Sequence, residues 1–276
     1  MLLRATRWVF PKLERWAPFL AQRIFRLVFY VPLHYAVPEK EKEAEKSAAL
    51  FRLDVDGKKI QFYSWGAKSH SYVLLIHGWA GRATQFRKFI KPINQAGLRV
   101  VGFDGPAHGK SEGRQTTIFE FEAVLQKIFD QMGVPTAIIT HSFGGAVALY
   151  SAMNGLPVRK LVNIASPSIA DEILKTYLRA INGSWPSAEK FKKFVAKKTG
   201  RPFEEFTSLY AVSRLPHPVD LLIIQDTDDQ DVYLIHAETL KKAYPSATLH
   251  KTSGLGHNRI LKDDDVILKC IDFIKT

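Results

Sequence analysis

From residue 51 onward the chain alternates between two hydrophobic periods. Short apolar runs rich in β-branched residues recur as "YVLLIH" (72–77), "RVVGFD" (99–104), "TAIITH" (136–141), "RKLVNIA" (159–165), "VDLLIIQ" (219–225) and "ATLHKT" (247–252). Between them the spacing of apolar positions predicts helices near 83–96, 116–132, 143–154, 233–243 and 259–274. Runs that are apolar on both faces, separated by helices, predict a mostly parallel sheet flanked by helices on both sides. Ahead of them, "FRLDVDGKKIQFYSW" alternates and turns at Asp56-Gly57, a hairpin signal. One interval breaks the rhythm. Between Ala165 and Pro218 lie about fifty residues with no strand pattern, including "DEILKTYLRAING" and "SAEKFKKFVAKKTG". A structureless loop of that length is uncommon, so residues 166–217 are read as a helical insertion. Insertions after parallel strands sit over the crevice where such sheets bind ligands, which makes this one a lid.

Residues 1–47 follow a different pattern and form a separate basic, amphipathic extension to a main domain over 48–276. Arg23, Arg26 and Pro32 interrupt the best apolar window, "APFLAQRIFRLVFYVPL", which is therefore too broken to span a bilayer. No clean apolar core followed by a small-residue cleavage site marks a signal peptide. What remains is Trp8, Phe10, Trp16, Phe19, Phe25 and Phe29 interleaved with Arg4, Arg7, Lys12, Arg15, Arg23 and Arg26. That composition suits peripheral contact of residues 1–30 with an anionic membrane surface, or a helix packed on its own domain or on a second subunit. The charged run "PEKEKEAEKSAAL" (38–50) is read as a solvated, helical connection.

The net charge of +12 over 276 residues raises nucleic acid as a partner, but the excess is gathered in residues 1–30 and in "EKFKKFVAKKTGR", and no nucleic-acid motif accompanies it; no nucleic acid is expected. A lone cysteine, Cys270, sits in the apolar stretch "VILKCIDFI" and fits a reducing compartment or simply a buried small hydrophobe; a cytoplasmic location is expected, with any membrane contact at the inner surface. In the insertion, Lys190, Lys192, Lys193, Lys197 and Lys198 read as a solvated helix face, and Phe191 with Phe194 as an apolar side able to cover an apolar ligand.

Candidate chemistry begins at "THSFGG". Ser142 stands between a predicted strand and a predicted helix, where a serine either caps the helix or is lifted above the sheet as a nucleophile by a sharp turn between small residues. Gly144 fits that turn; Thr140 stands where glycine is usual. A nucleophilic serine needs a base, and the base an orienting carboxylate. After "VDLLIIQ" comes "DTDDQDV", with Asp226, Asp228, Asp229 and Asp231, and near the C-terminus "GLGHNRIL" offers His257. The aspartate cluster lacks the spaced glycine and terminal glutamate of a calcium loop, so no metal is expected. His77 and His108 are assigned to hydrogen bonding in glycine-rich loops, and His141 is expected to point away from Ser142, because neighbouring strand residues face opposite sides.

The order Ser, Asp, His is that of the α/β-hydrolases. Over roughly residues 50–276 the chain resembles bacterial serine hydrolases of the α/β-hydrolase fold, esterase and lipase type, through "LLIHGWAGRATQF", "VVGFDGPAHGKSEG", "THSFGGAVAL", "LLIIQDTDDQDV" and "GLGHNRIL". The resemblance implies Ser142 as nucleophile, His257 as base and Asp229 as acid, with Asp226 the next candidate. It also implies an oxyanion hole from the Trp79 and Phe143 amides, no cofactor, and a small-molecule carboxylic ester as substrate, an apolar acyl group among the candidates. "DGPAHGKS" matches a structural turn of the family, with Ala107 replacing one glycine. Thioesters, lactones and amides are open to the same machinery, and a non-catalytic binding protein on this fold is the alternative of a different class. Neither the natural substrate nor the oligomeric state is legible.

Overall fold

The structure, a computed structural model, describes residues 2–68 and 71–275, with side chains from residue 5 on, so the side chain of Arg4 lies outside the described residues. Two helices open the chain, α1 (Leu2–Trp16) and α2 (Pro18–Tyr30), folded back on each other so that Phe10 and Phe25 stand 6.5 Å apart. After α3 (Glu39–Lys46) come β1 (Ala49–Val55) and β2 (Lys58–Trp65), joined by a turn in which Asp56 and Gly57 both have positive φ, 51° and 75°. An Asp-Gly pair is the usual occupant of such a turn, because both central residues must tolerate the left-handed region.

The α/β body follows: β3 (Tyr72–Ile76), α4 (Arg87–Gln95), β4 (Arg99–Phe103), α5 (Ile118–Met132), β5 (Ala137–His141), α6 (Phe143–Met153) and β6 (Lys160–Ile164). The insertion holds α7 (Ala170–Ile181), α8 (Trp185–Thr199) and α9 (Ser208–Val212), and the chain closes with β7 (Asp220–Asp226), α10 (Ile235–Ala243), β8 (Thr248–Thr252), α11 (Gly256–Arg259) and α12 (Asp264–Lys275). The eight strands form one sheet in the order β1-β2-β4-β3-β5-β6-β7-β8. The β1–β2 and β2–β4 pairs are antiparallel and the rest parallel. Strand order reverses at β3, since β4 lies on one side of it and β5 on the other. Ligand crevices of parallel sheets open beyond the carboxyl ends of the strands at such a point.

Each face of the sheet carries its own apolar core, one including Phe62, Leu74, Phe121 and Leu149, the other Leu75, Phe89, Ile164 and Cys270. The helix α6, "FGGAVALYSAM", is apolar all round, and nine of its residues from Gly144 to Ala152 are buried, as expected for a helix enclosed on every side. A third core joins the N-terminal hairpin to the insertion: Phe10, Ala21 and Phe25 of the hairpin pack against Leu174, Leu178 and Ile181 of α7 and Phe191 and Val195 of α8. Burial of each large side chain there contributes about 1.5–3 kcal/mol, so the hairpin is held on the insertion by several such contributions.

Three sequence expectations change. The stretch 38–50 is not simply solvated: Glu41 is buried, paired with Arg82 at 3.2 Å and accepting from Thr84, and β1 already begins at Ala49. Phe191 does not face a ligand site but packs on Phe25 and Phe29 at 5.1 and 4.5 Å, and Phe194 lies under Arg26; the residues α8 offers to the cavity described below are Val195, Lys198 and Thr199. The short helix α9 joins the main core through Ala211 and Val212 instead of covering the sheet with α7 and α8.

Candidate active site

The strand β5 ends at His141 and the next residue, Ser142, has φ 51° and ψ −123°. An L-residue held there costs on the order of 1–3 kcal/mol, a cost that surrounding structure must impose. Part of what imposes it is close packing. A Cβ on Gly144 would lie 2.4 Å from the Ile76 carbonyl oxygen and 2.8 Å from that of His77, and a Cβ on Gly78 would lie 2.7 Å from the Ser142 Cβ. Only glycines let α6 and the loop after β3 approach so closely. Thr140 is accommodated by turning its hydroxyl to the next strand, where it donates to the Val162 carbonyl at 3.0 Å. Ser142 is not a helix cap: its side chain makes no capping bond.

Across the crevice, the loop after β3 is fixed by two histidines in the hydrogen-bonding role expected of them. His77 Nε2 accepts from the Gly105 amide at 2.8 Å while Nδ1 donates to the Gly78 carbonyl, and His108 Nε2 accepts from the Ala80 amide at 3.1 Å. Burial holds both below the usual histidine range, His108 down to about 4, which keeps the accepting nitrogens unprotonated. Asp104 completes the support, accepting from the Ala83 and Lys110 amides and the Tyr63 hydroxyl. With the loop so held, the amides of Trp79 and Phe143 donate to no other group among the described residues, and their rings meet edge to face at 5.6 Å.

Beyond β7 the aspartate cluster separates into distinct roles. Asp229 Oδ2 accepts from His257 Nδ1 at 2.8 Å and from Gln225 Nε2 at 3.2 Å, and Oδ1 accepts from the Asp231 and Val232 amides at 2.8 and 2.9 Å. Burial would raise the pKa of this carboxyl, but the bonds from His257, Val232 and Asp231 outweigh it and hold it below the ordinary range. Asp226 does not touch His257. It accepts from the amides of Asp228, Leu255 and Gly256 and from the Thr252 hydroxyl, and so anchors the loop that carries His257. Asp229, Asp231 and His257 come within 4.8 Å of one another, but the four donors on Asp229 leave its oxygens committed, a donor set unlike a cation cage.

His141 departs from expectation. Its ring lies 4.7 Å from the His257 ring, its Nε2 donates to the His257 carbonyl at 2.9 Å, and it lines the same cavity as Ser142. Burial drives it down to about 3, so it is neutral. Strand alternation fails to place it because Ser142 already lies in the turn, outside the strand. Gln225, the polar end of an apolar run, is the second contributor not singled out from the sequence; its amide ties Asp229 to the Val232 carbonyl.

Ser142, Phe143, Trp79 and His257 line one cavity of about 980 Å³. Its walls include Ile173, Tyr177, Val195, Phe203 and Phe206 from the insertion and, unanticipated, Phe29, Tyr30 and Tyr35 from the N-terminal extension. The Ser142 hydroxyl makes no hydrogen bond among the described residues, so Ser142 and His257 share the cavity without a closed bond.

The strand order and the helices that cover the sheet agree with what comparison finds. The profile of the alpha/beta hydrolase fold family matches residues 72–207. The chain has the α/β-hydrolase fold. It is 27% identical over 154 residues to a Drosophila melanogaster protein named "Probable serine hydrolase", a stretch covering 53% of this chain and 45% of that protein. It is 36% identical over 96 residues to the magnesium-chelatase 30 kDa subunit of Rhodobacter capsulatus, covering 33% of each. The chain thus spans less than half the length of these relatives. Among solved structures, an esterase of Pyrococcus furiosus superposes with a TM-score of 0.66 at 19% identity over 89% of this chain and 96% of that one, a likeness of fold.

Proposed function

We propose that this α/β-hydrolase is a serine hydrolase that cleaves carboxylic esters with an apolar acyl group through an acyl-enzyme. The observation that carries the reading is the bond from half-buried His257 to buried Asp229, on the cavity that also holds the strained Ser142. Because His257 Nδ1 donates to Asp229, its Nε2 keeps a lone pair, the form a general base requires. In the proposed sequence Nε2 takes the Ser142 proton as Oγ attacks the ester carbonyl carbon. The developing oxyanion accepts from the Trp79 and Phe143 amides, each such donor typically worth about 2.7–4 kcal/mol in the transition state. Collapse breaks the ester C–O bond, and the leaving alkoxide takes the proton back from His257. Water, deprotonated by the same nitrogen, then releases the carboxylic acid and restores Ser142. The open Ser142–His257 geometry is compatible with this course, since such bonds are often long before substrate arrives. The aromatic and aliphatic walls of the cavity support an apolar acyl group over a charged one.

The test is hydrolysis of p-nitrophenyl esters of increasing acyl length by the wild-type chain and by Ser142→Ala. The proposal expects turnover that rises from acetate to medium chains and is lost in the variant. Faster cleavage of matched thioesters, lactones or amides would move the substrate class while keeping the residues. Turnover of no acyl substrate, or turnover unchanged in the variant, would overturn the reading.

A further inference from the structure

The N-terminal hairpin packs one face on the insertion and leaves the other exposed among the described residues. On α1, Trp8, Lys12, Arg15 and Trp16 fall on the outward side, and on α2 Phe19, Leu20, Arg23 and Leu27 do. Trp8, Trp16 and Phe19 are 68%, 76% and 69% exposed, and with Leu20 and Leu27 at 46% and 59% they gather large apolar side chains on the solvent side of two adjacent helices, the kind of surface that marks an interaction site. Cations stand over these rings: Lys12 Nζ lies 3.0 Å from the Trp8 ring, Arg15 4.9 Å from Trp16, and Arg23 5.9 Å from Phe19. The sole acidic residue of positions 1–38, Glu14, is turned inward, where it accepts from the Ser184 amide and hydroxyl. The outward face therefore carries exposed aromatics and three cations with no carboxylate among them.

We propose that this face docks on an anionic lipid surface, with Trp8, Trp16, Phe19 and Leu20 entering the headgroup boundary and Lys12, Arg15 and Arg23 meeting lipid phosphates. Amphipathic helices of this composition lie in the interface plane, and no helix among the described residues is long and apolar enough to cross a membrane. A second copy of the chain fits less well, because two-fold pairing of this face would set its cations against themselves. The helix that rests on the lipid also walls the cavity: α2 turns Leu27 outward and gives Phe29 and Tyr30 to the lining, so docking sets the substrate cavity directly behind the membrane-facing helix.

Deleting the hairpin is not the test, since Phe10 and Phe25 are core partners of α7 and α8. Surface variants of the full chain are. Binding is read by co-sedimentation with phosphatidylcholine vesicles and with vesicles containing phosphatidylglycerol, at low and high salt, with melting temperature and sedimentation mass as controls. Binding needs no turnover, so it stands or falls independently of the hydrolase reading. The wild type should bind the anionic vesicles and be released by salt. K12A/R15A/R23A should lower partitioning on anionic vesicles by roughly 100-fold at low salt, from about 1 kcal/mol per cation. W16A/F19A/L20A should weaken binding on both lipids, and both variants should melt with the wild type. Equal binding to neutral and anionic vesicles, or variants that bind as the wild type does, would overturn the proposal. So would a wild-type dimer that W16A/F19A/L20A converts to monomer, which would make the face a self-association surface.

Discussion

Replacing Ser142 with glycine removes the proposed nucleophile and, on the geometry, should make the protein more stable. At φ 51° and ψ −123° a residue with a Cβ is disfavoured by on the order of 1–3 kcal/mol, a penalty that glycine escapes. Glycine also enlarges the conformational freedom of the unfolded chain, which offsets roughly 0.4–1 kcal/mol. The hydroxyl contributes little to the balance, because it makes no hydrogen bond among the described residues. Ser142→Ala keeps the Cβ and with it the strain, so alanine should melt with the wild type. Glycine should gain a net amount on the order of 1 kcal/mol, or about 2–4 °C in melting temperature for a chain of this size. Calorimetry on the three proteins under one buffer reads the difference, and both variants should be inactive. A glycine variant melting at or below the alanine variant would refute the claim that strain is stored at the elbow.

Asp229→Asn should lower kcat by about 10⁴, because an amide facing His257 Nδ1 makes that nitrogen an acceptor and puts the proton on the nitrogen needed as base. Asp226→Asn should cost mainly stability, about 2–3 kcal/mol by urea denaturation, since an amide nitrogen must then face donors from the 252–256 loop; a larger kcat loss in this variant than in Asp229→Asn would transfer the acid role to Asp226. The protein should also be acid-sensitive. Burial lowers His108 and His236 to about 4 and His141 to about 3, so below about pH 6.5 the unfolded chain takes up protons that the folded chain does not. Stability is therefore full above pH 6.5 and falls as pH drops toward 4, by up to about 1.4 kcal/mol per pH unit for each such histidine. Unfolding free energies that hold level or rise from pH 7 to pH 5 would contradict the burial of these rings as neutral bases.

The strands and the elbow were legible because their signals are local. Runs such as "YVLLIH" can bury both faces only in a covered parallel sheet, and Ser142 followed by Gly144 needs just one turn to acquire meaning. The choice among four aspartates was not local. It depends on how the 226–232 turn wraps against the loop of residues 252–257, where Asp226 meets the backbone of that loop and Asp229 meets the ring of His257. His141 was misplaced because the alternation rule was carried one residue past the end of its strand. The N-terminal pattern was read as amphipathic, but amphipathicity gives a face without naming what covers it. Phe10 and Phe25 turn inward to α7 and α8, more than 140 residues away in sequence, and no periodicity within residues 1–30 encodes that pairing.

In the proposed reaction Ser142 is the nucleophile, activated by His257. The measurement that meets this role most directly is covalent labelling with a fluorophosphonate, read by intact mass and by mapping the modified peptide. One adduct per chain is expected on Ser142, no adduct on Ser142→Ala, and strongly slowed labelling of His257→Ala while it keeps the wild-type melting temperature. Stoichiometric labelling of Ser142→Ala, or a mapped adduct on another residue, would contradict this role.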